Sequence, residues 1–341
     1  MTQENKDILL KLLDRHRELG ISEQIDYDKF YLYSIIVHST AIEGSTVTEV
    51  EAQLLFDEGI TSSKRTMQEQ MMNLDLKVAY EYGREWIKRH ESITIDWLIS
   101  LASKVMARTG SEYSTLGGNF FAAKGELRKL NVSAGIGGKS YMSYLKVPEC
   151  LAAFCEELNR RRKAIDPTDI SAVYDLSFWA HYELVTIHPW ADGNGRTSRL
   201  LMNLLQWEFG VLPTKVQKED KATYIQALID TREKEDITIF QNCMATLHAR
   251  HLRDDINQYL STTTGTTQKG RNTTQKKLST TQKAILDYLK EHPTATRQEV
   301  AEALGNISED GIKYHFSRLQ KKGYLKREGG RKIGRWTVVI D

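Results

Sequence analysis

Apolar residues recur every three to four positions through most of residues 1–260, the spacing of helices that bury one face. In 170–187 the stripe is Ile170, Val173, Ser177, Ala180, Leu184 and Ile187, which predicts one buried helix. A second helix is predicted from about Gly195 to Phe209, with Leu200, Leu201, Leu204 and Leu205 inward; Gly210 and Pro213 punctuate its end. Strand-like alternation is scarce before residue 320. The exception is 126–147, where Leu127–Val132 and Lys139–Val147 flank Gly135-Ile-Gly-Gly138 and read as a hairpin.

The pattern breaks at 261–278, which holds a single apolar residue, Leu278. Such a stretch cannot bury enough surface to offset its ordering entropy and reads as a flexible linker. Beyond it, Ala284, Ile285, Leu286, Tyr288 and Leu289 predict a helix ending before Pro293. Thr296 and Glu299 have capping-box spacing and open a second helix, stopped by Gly305. Ser308 can cap a third, with Ile312, Phe316 and Leu319 inward and an end near Gly323. Tyr324–Arg327, a Gly329-Gly330 turn and Arg335–Ile340 then read as two strands. Three helices and a hairpin in this order resemble a winged helix-turn-helix domain over 279–341.

Composition changes this picture in one respect. The 341 residues are 40% hydrophobic and 27% charged, enough for two packed domains. The net charge of +2 is unevenly spread: residues 279–341 carry +4, residues 261–278 another +4, and residues 1–260 therefore −6. The basic residues of the tail include Lys313, Arg318, Lys321, Lys322, Arg331, Lys332 and Arg335. Three cysteines (Cys150, Cys155 and Cys243) without CxxC spacing indicate neither a disulfide framework nor a zinc ribbon. Cys243, His248 and His251 share a helix side, but Arg250 and Arg253 beside them oppose a cation, so they read as helix surface. The first residues lack the apolar core of a signal peptide and no run has membrane-spanning length. A cytoplasmic chain without a membrane partner is expected.

Candidate chemistry concentrates in His188-Pro-Trp-Ala-Asp192-Gly193-Asn194-Gly195-Arg196-Thr-Ser-Arg199, between the two apolar helices. Gly193-Asn194-Gly195 can turn successive backbone N–H groups toward one anion, and a helix starts there with its positive dipole end. Arg196 and Arg199 on its first turns can both reach a polyphosphate. Cations at a helix start oppose the dipole unless an anion sits between them. Asp192 is a hard oxygen donor suited to Mg²⁺, and His188 titrates near neutrality and can take a hydroxyl proton. Cradle, metal ligand and base together are the equipment of phosphoryl or nucleotidyl transfer. No GxxxxGK[ST] occurs, which excludes a P-loop enzyme.

These twelve residues resemble the signature of the Fic family, HPFxDGNGRxxR, with Trp190 in place of the usual Phe. Upstream, Ser39-Thr-Ala-Ile-Glu43-Gly44 is similar to the family's inhibitory pattern, [S/T]xxxE[G/N], in the class where an inhibitory helix (about 28–44) precedes the core. The resemblance implies a mainly α protein: a Fic-type helical domain in 1–260 with a β-hairpin flap, the 261–278 linker and a winged helix domain. It implies a protein adenylyltransferase moving AMP from MgATP to a Ser, Thr or Tyr hydroxyl. His188 would be the base, and Asp192 would hold Mg²⁺. Gly193, Asn194, Gly195 and Arg196 would bind the α- and β-phosphates, Arg199 the γ-phosphate, and Tyr224 would wall the adenine. Glu43 would inhibit by pairing with Arg199. The 126–147 hairpin is similar in position to the flap on which a target protein docks.

The partners this leaves are a target protein, the chain itself in self-modification or as a homodimer, and DNA or protein at the C-terminal domain. Phosphoryl, UMP or phosphocholine transfer, removal of AMP, and a DNA-binding regulator with a nucleotide-sensing body are the alternatives.

Overall fold

The computed structural model describes residues 1–134, 139–264, 280–305, 307, 309–321, 323–328 and 334–339. In chain order the elements are α1 (Gln3–Glu18), α2 (Tyr27–Ile42), α3 (Glu49–Glu58), α4 (Met67–Ile87), α5 (Ile95–Val105), β1 (Glu112–Thr115) and β2 (Gly118–Phe121). They continue with α6 (Val147–Ala164), α7 (Ile170–Ile187), α8 (Asn194–Glu208), α9 (Lys221–Lys234) and α10 (Ile237–Thr264). The last are α11 (Thr280–Glu291), α12 (Arg297–Leu304), α13 (Glu309–Lys321), β3 (Leu325–Glu328) and β4 (Arg335–Val338). They form two compact units, Met1–Val47 with Arg65–Thr266, and Thr48–Lys64 with Thr267–Asp341.

In the first unit, α7 occupies the 170–187 span read from periodicity. Asp169 caps it by accepting from the Ala172 N–H at 3.0 Å, and Val173, Ser177, Ala180, Leu184 and Ile187 are buried. The α7 and α8 helices pack on each other, with α4 against α8. Leu200, Leu201, Leu204 and Leu205 are fully buried, and α8 ends before Gly210 in left-handed conformation. A core of Val173, Phe178, Met202, Phe240, Met244 and Leu252 joins α7, α8 and α10. The signature lies at the junction between α7 and α8, so two buried helices set its geometry.

The structure pairs the arms of 126–147 as read, adds a ribbon that the sequence reading did not place, and corrects one expectation. The two-stranded ribbon of this unit is β1–β2, where Tyr113 opposes Phe120 and stacks on it at 4.9 Å. Among the described residues of 126–147, the two arms pair antiparallel at a Ser133–Ser140 bridge, with the bonds Ala134 N–H to Lys139 O and Tyr141 N–H to Val132 O. Its ladder stops because Arg128 takes the Leu130 and Met142 carbonyls and the Asn131 side chain takes the Tyr144 N–H. The Gly135–Gly138 tip lies outside the described residues. His248 and His251 are buried, not helix surface. Tyr174 and Asp220 give them partners at 3.1 and 2.9 Å inside the fold. Among the described residues no group of three or more His, Cys, Asp or Glu is placed to hold a metal. No described helix is long and apolar enough to cross a membrane.

In the second unit, Ile285, Leu286, Leu289, Val300, Ile312, Phe316, Leu319, Leu325 and Trp336 form one core. The Thr296–Glu299 capping box is present, and β3–β4 form the antiparallel wing. Helix α10 runs to Thr264, and the rest of the segment read as linker lies outside the described residues, as do Ser308 and the Gly329-Gly330 turn.

Candidate functional site

His188 follows α7 as its C-cap in left-handed conformation (φ 52°), a strained backbone for a residue with a side chain. Its N–H still bonds the Leu184 carbonyl at 3.1 Å. Its ring Nδ1 lies 3.3 Å from the Val185 carbonyl. A carbonyl only accepts, so Nδ1 carries the hydrogen and Nε2 keeps its lone pair. Burial depresses the imidazole pKa to about 4, helped by Arg128 and opposed by the Val185 bond, Asp192 and Glu43. The ring is therefore neutral at pH 7, as a proton acceptor must be.

Trp190 anchors the loop. Its side chain is buried and its indole N–H donates to the Gly125 carbonyl at 2.9 Å. Asn194 spends its side chain on Trp190, accepting from the backbone N–H at 3.1 Å and donating to the carbonyl at 2.8 Å. Gly193 takes φ 80°, and a Cβ there would meet the Met106 sulfur at 2.8 Å. At Gly195 a Cβ would stand 2.7 Å from the Glu43 carboxylate and 3.0 Å from Arg199 Nη1. Gly193 thus lets Met106 pack against the start of α8, and Gly195 leaves room for the Glu43–Arg199 pair.

Arg196 is 2% exposed, and its Nε and Nη1 have no partner. Nη2 reaches only the Met106 thioether at 3.1 Å and Asp192 at 3.4 Å. Each unpaired buried donor costs about 1–3 kcal/mol, so the site is built for an anion that satisfies them. Asp192 is 59% exposed at the loop edge and is the hard oxygen donor of the signature. One carboxylate fits a magnesium ion that takes its other ligands from phosphates and water.

Arg199 is buried on the next turn. Nε donates to Ser39 Oγ at 2.9 Å, and Nη2 donates to the Ser39 carbonyl at 3.0 Å and to Glu43 Oε1 at 2.6 Å. Ser39 thus faces Arg199 and does not form a local helix pair with Glu43. Glu43 is the C-cap of α2, its side chain 34% exposed. Burial pushes its carboxyl up, but the charge and hydrogen bond of Arg199, with Arg196 and Lys221, outweigh this and hold it below the ordinary value. Tyr224 is buried, its hydroxyl 2.9 Å from His181 Nε2 and 3.5 Å from Arg199 Nη1.

Sequence reasoning missed Arg128 and Tyr141. Arg128 is 1% exposed and donates to the His188 carbonyl, while the Tyr141 ring stacks on the His188 imidazole at 3.8 Å. Both belong to the 126–147 segment, where neither residue type signals chemistry by itself. The structure brings together His188, Asp192, Gly193–Arg196, Arg199, Tyr224 and, from α2, Glu43.

Residues 92–206 match the sequence profile of the Fic/DOC family, and residues 278–326 match a winged helix-turn-helix DNA-binding profile. Protein adenylyltransferase fic-1 of Caenorhabditis briggsae is 28% identical over 204 residues, 59% of this chain and 36% of the relative. Protein adenylyltransferase Fic of Nematostella vectensis is 29% identical over 236 residues, 67% of this chain and 49% of the relative. The chain thus spans between a third and a half of these relatives. A Fic family protein of Desulfovibrio desulfuricans shares the fold with a TM-score of 0.60 at 18% identity, over 99% of this chain and 97% of that one.

Proposed function

From a chain that carries a Fic domain and a winged helix-turn-helix domain, we propose a protein adenylyltransferase that moves AMP from ATP to a Ser, Thr or Tyr hydroxyl. The observation that carries this reading is Arg196, whose two buried, unpaired donors at the start of α8 ask for a phosphate. The Gly193–Gly195 backbone and Arg196 would hold the α- and β-phosphates, and Arg199 the γ-phosphate. His188 Nε2 would take the acceptor's hydroxyl proton as its oxygen attacks the α-phosphorus. The bond to the β-phosphate oxygen then breaks and pyrophosphate leaves. Asp192 would hold the magnesium that accompanies ATP, whose charge eases the departure of pyrophosphate. The 126–147 segment would present the target to His188 by strand addition.

Glu43 fits an inhibitory role. With its carboxylate on Arg199, the γ-phosphate loses its guanidinium, and the α-phosphate is displaced from in-line attack. The acceptor protein remains to be named by experiment, with the chain itself as the first candidate.

The test is parallel incubation of the full chain, wild type and Glu43→Gly, with α-³²P- and γ-³²P-ATP. Protein label from the α position alone is expected, and lost in His188→Ala by on the order of 10²–10⁴-fold while ATP binding persists. Label from γ alone would make the chain a kinase. Near-parental turnover in His188→Ala would remove the base from the mechanism.

A second reading concerns the second unit, where the DNA-binding profile match covers exposed Lys313 and Lys326 and the wing adds exposed Arg327 and Arg335. Arg318, Lys321, Lys322, Arg331 and Lys332 lie outside the described side chains. Phosphate contacts would make duplex affinity fall steeply between 50 and 200 mM salt, on the order of tenfold or more. A full chain that shifts no duplex at low salt favours protein docking instead.

A further inference from the structure

Arg128 is among the largest fully buried side chains, and no carboxylate pairs with it among the described residues. Its partners are carbonyl oxygens. Nε donates to His188 O, Nη1 to Leu130 O and Nη2 to Met142 O, each at 2.7 Å. Its own backbone N–H donates to Pro189 O at 2.9 Å. A buried cation without a counter-charge is costly, so a fold needing only a filler would place an apolar residue here. What the guanidinium supplies is geometry: a rigid planar fork whose donors point in three fixed directions at once.

Those directions matter. One holds the carbonyl of His188, whose backbone is left-handed, and the other two hold opposite arms of the 126–147 segment. Tyr141, on the second arm, lies on the imidazole with ring planes 20° apart. The ring is thus fixed at Nδ1 by Val185, on its face by Tyr141 and through its backbone by Arg128, and Nε2 alone is left to act.

We propose that Arg128 is a positioning residue, which holds the base and the target-presenting segment in one register so that Nε2 meets the acceptor hydroxyl. The proposal rests on the reading of His188 as the base. A misplacement of 1 Å in such an arrangement costs on the order of 10²-fold in rate. The positive charge of Arg128 also helps keep the imidazole neutral, together with burial and against Asp192 and Glu43. A charge-preserving variant and a neutral one should therefore differ in pH dependence.

The experiment uses the full chain carrying Glu43→Gly, with pyrophosphate release measured against MgATP from pH 4 to 8. Arg128→Lys keeps the charge and loses the fork; Arg128→Gln loses both. Both should lower kcat by about 100-fold and leave the KM for ATP within about twofold. Arg128→Gln alone should move the acid limb toward neutral pH, since losing a nearby cation raises the imidazole pKa. Folded variants with kcat within about threefold of the parent would overturn the proposal, as would loss of the fold in both, because the role is then structural. His188→Ala runs in parallel. Should it retain activity, the base reading fails, and Arg128 is judged on ¹⁵N-labelled protein. There Arg128→Gln is expected to raise the His188 titration midpoint and mix its ring tautomers, and unchanged ring signals would sink the positioning role.

Discussion

Glu43 and Arg199 are 156 positions apart in the chain and 2.6 Å apart in the fold. A guanidinium so buried needs an anion, and it can have the carboxylate or a γ-phosphate but not both. Glu43→Gly should therefore raise self-labelling or pyrophosphate release at least tenfold while bare ATP affinity changes little. Moving a closed equilibrium fully open corresponds to about 5.5 kcal/mol, so a larger gain is within reach. Arg199→Ala should stay inactive even combined with Glu43→Gly, because it removes the guanidinium proposed to hold the γ-phosphate. Labelling by Glu43→Gly no greater than wild type would leave the carboxylate a structural or water-positioning group. At this scale the sequence is legible where partners sit in short patterns, as in 188–199 and 39–44. It is opaque at Arg128, whose partner His188 lies 60 positions away and whose role exists only once the chain is folded.

Among elements, α2 ends in a turn that α4 holds in place. Glu69 accepts from the Thr46 N–H and hydroxyl at 2.7 and 2.6 Å, and from the Thr66 N–H and hydroxyl at 2.9 and 2.7 Å. These bonds, those from Thr46 foremost, hold its pKa at about 2. One turn on, buried Asn73 accepts from Thr40 and donates to Ser45. The backbone around Glu43 is thus bolted to the first two turns of α4. Glu69→Ala should loosen it and raise AMP transfer toward the Glu43→Gly level, at about 1 kcal/mol of stability from the lost capping box. Combined with Glu43→Gly it should add nothing further, and additive gains would mean that Glu69 acts elsewhere. Helices α7 and α8 were legible because a buried stripe lies within each segment, opened by Asp169 in α7 and stopped at Gly210 after α8, whereas α2 was read from the 39–44 pattern alone. The 126–147 hairpin was legible from its alternation on either side of the glycines, and its ladder is short because Arg128 takes the Leu130 and Met142 carbonyls. The β1–β2 ribbon, with its Leu116-Gly117 turn and Tyr113–Phe120 pair, went unread because each strand is only four residues long.

On the scale of the molecule, membership of the two units is not written in local pattern, since Thr48–Lys64 is grouped with residues more than 200 positions later. A second global property is the buried histidine set. Burial holds His181 and His248 at about 3 and His188 at about 4, with Arg199 adding to the shift at His181 and His251 to that at His248. In the unfolded chain a histidine titrates near 6.5. A folded pKa below the unfolded one means that folding releases protons, so the stabilisation is complete above about pH 6.5 and is lost as pH falls toward 4 and 3. Glu183, whose carboxyl burial pushes up, runs the other way but is a single group. The first unit should therefore melt on the order of 10 °C lower at pH 5 than at pH 7, well before most carboxylates are protonated. Calorimetry of the full chain across this range tests the point. His248→Gln should flatten the slope between pH 6.5 and 4, because it deletes one buried proton acceptor and can keep a hydrogen bond to Tyr174. A melting temperature level from pH 7 to 5 would mean that these imidazoles are charged or hydrated in the fold, and that His188 too does not await its proton in the neutral form.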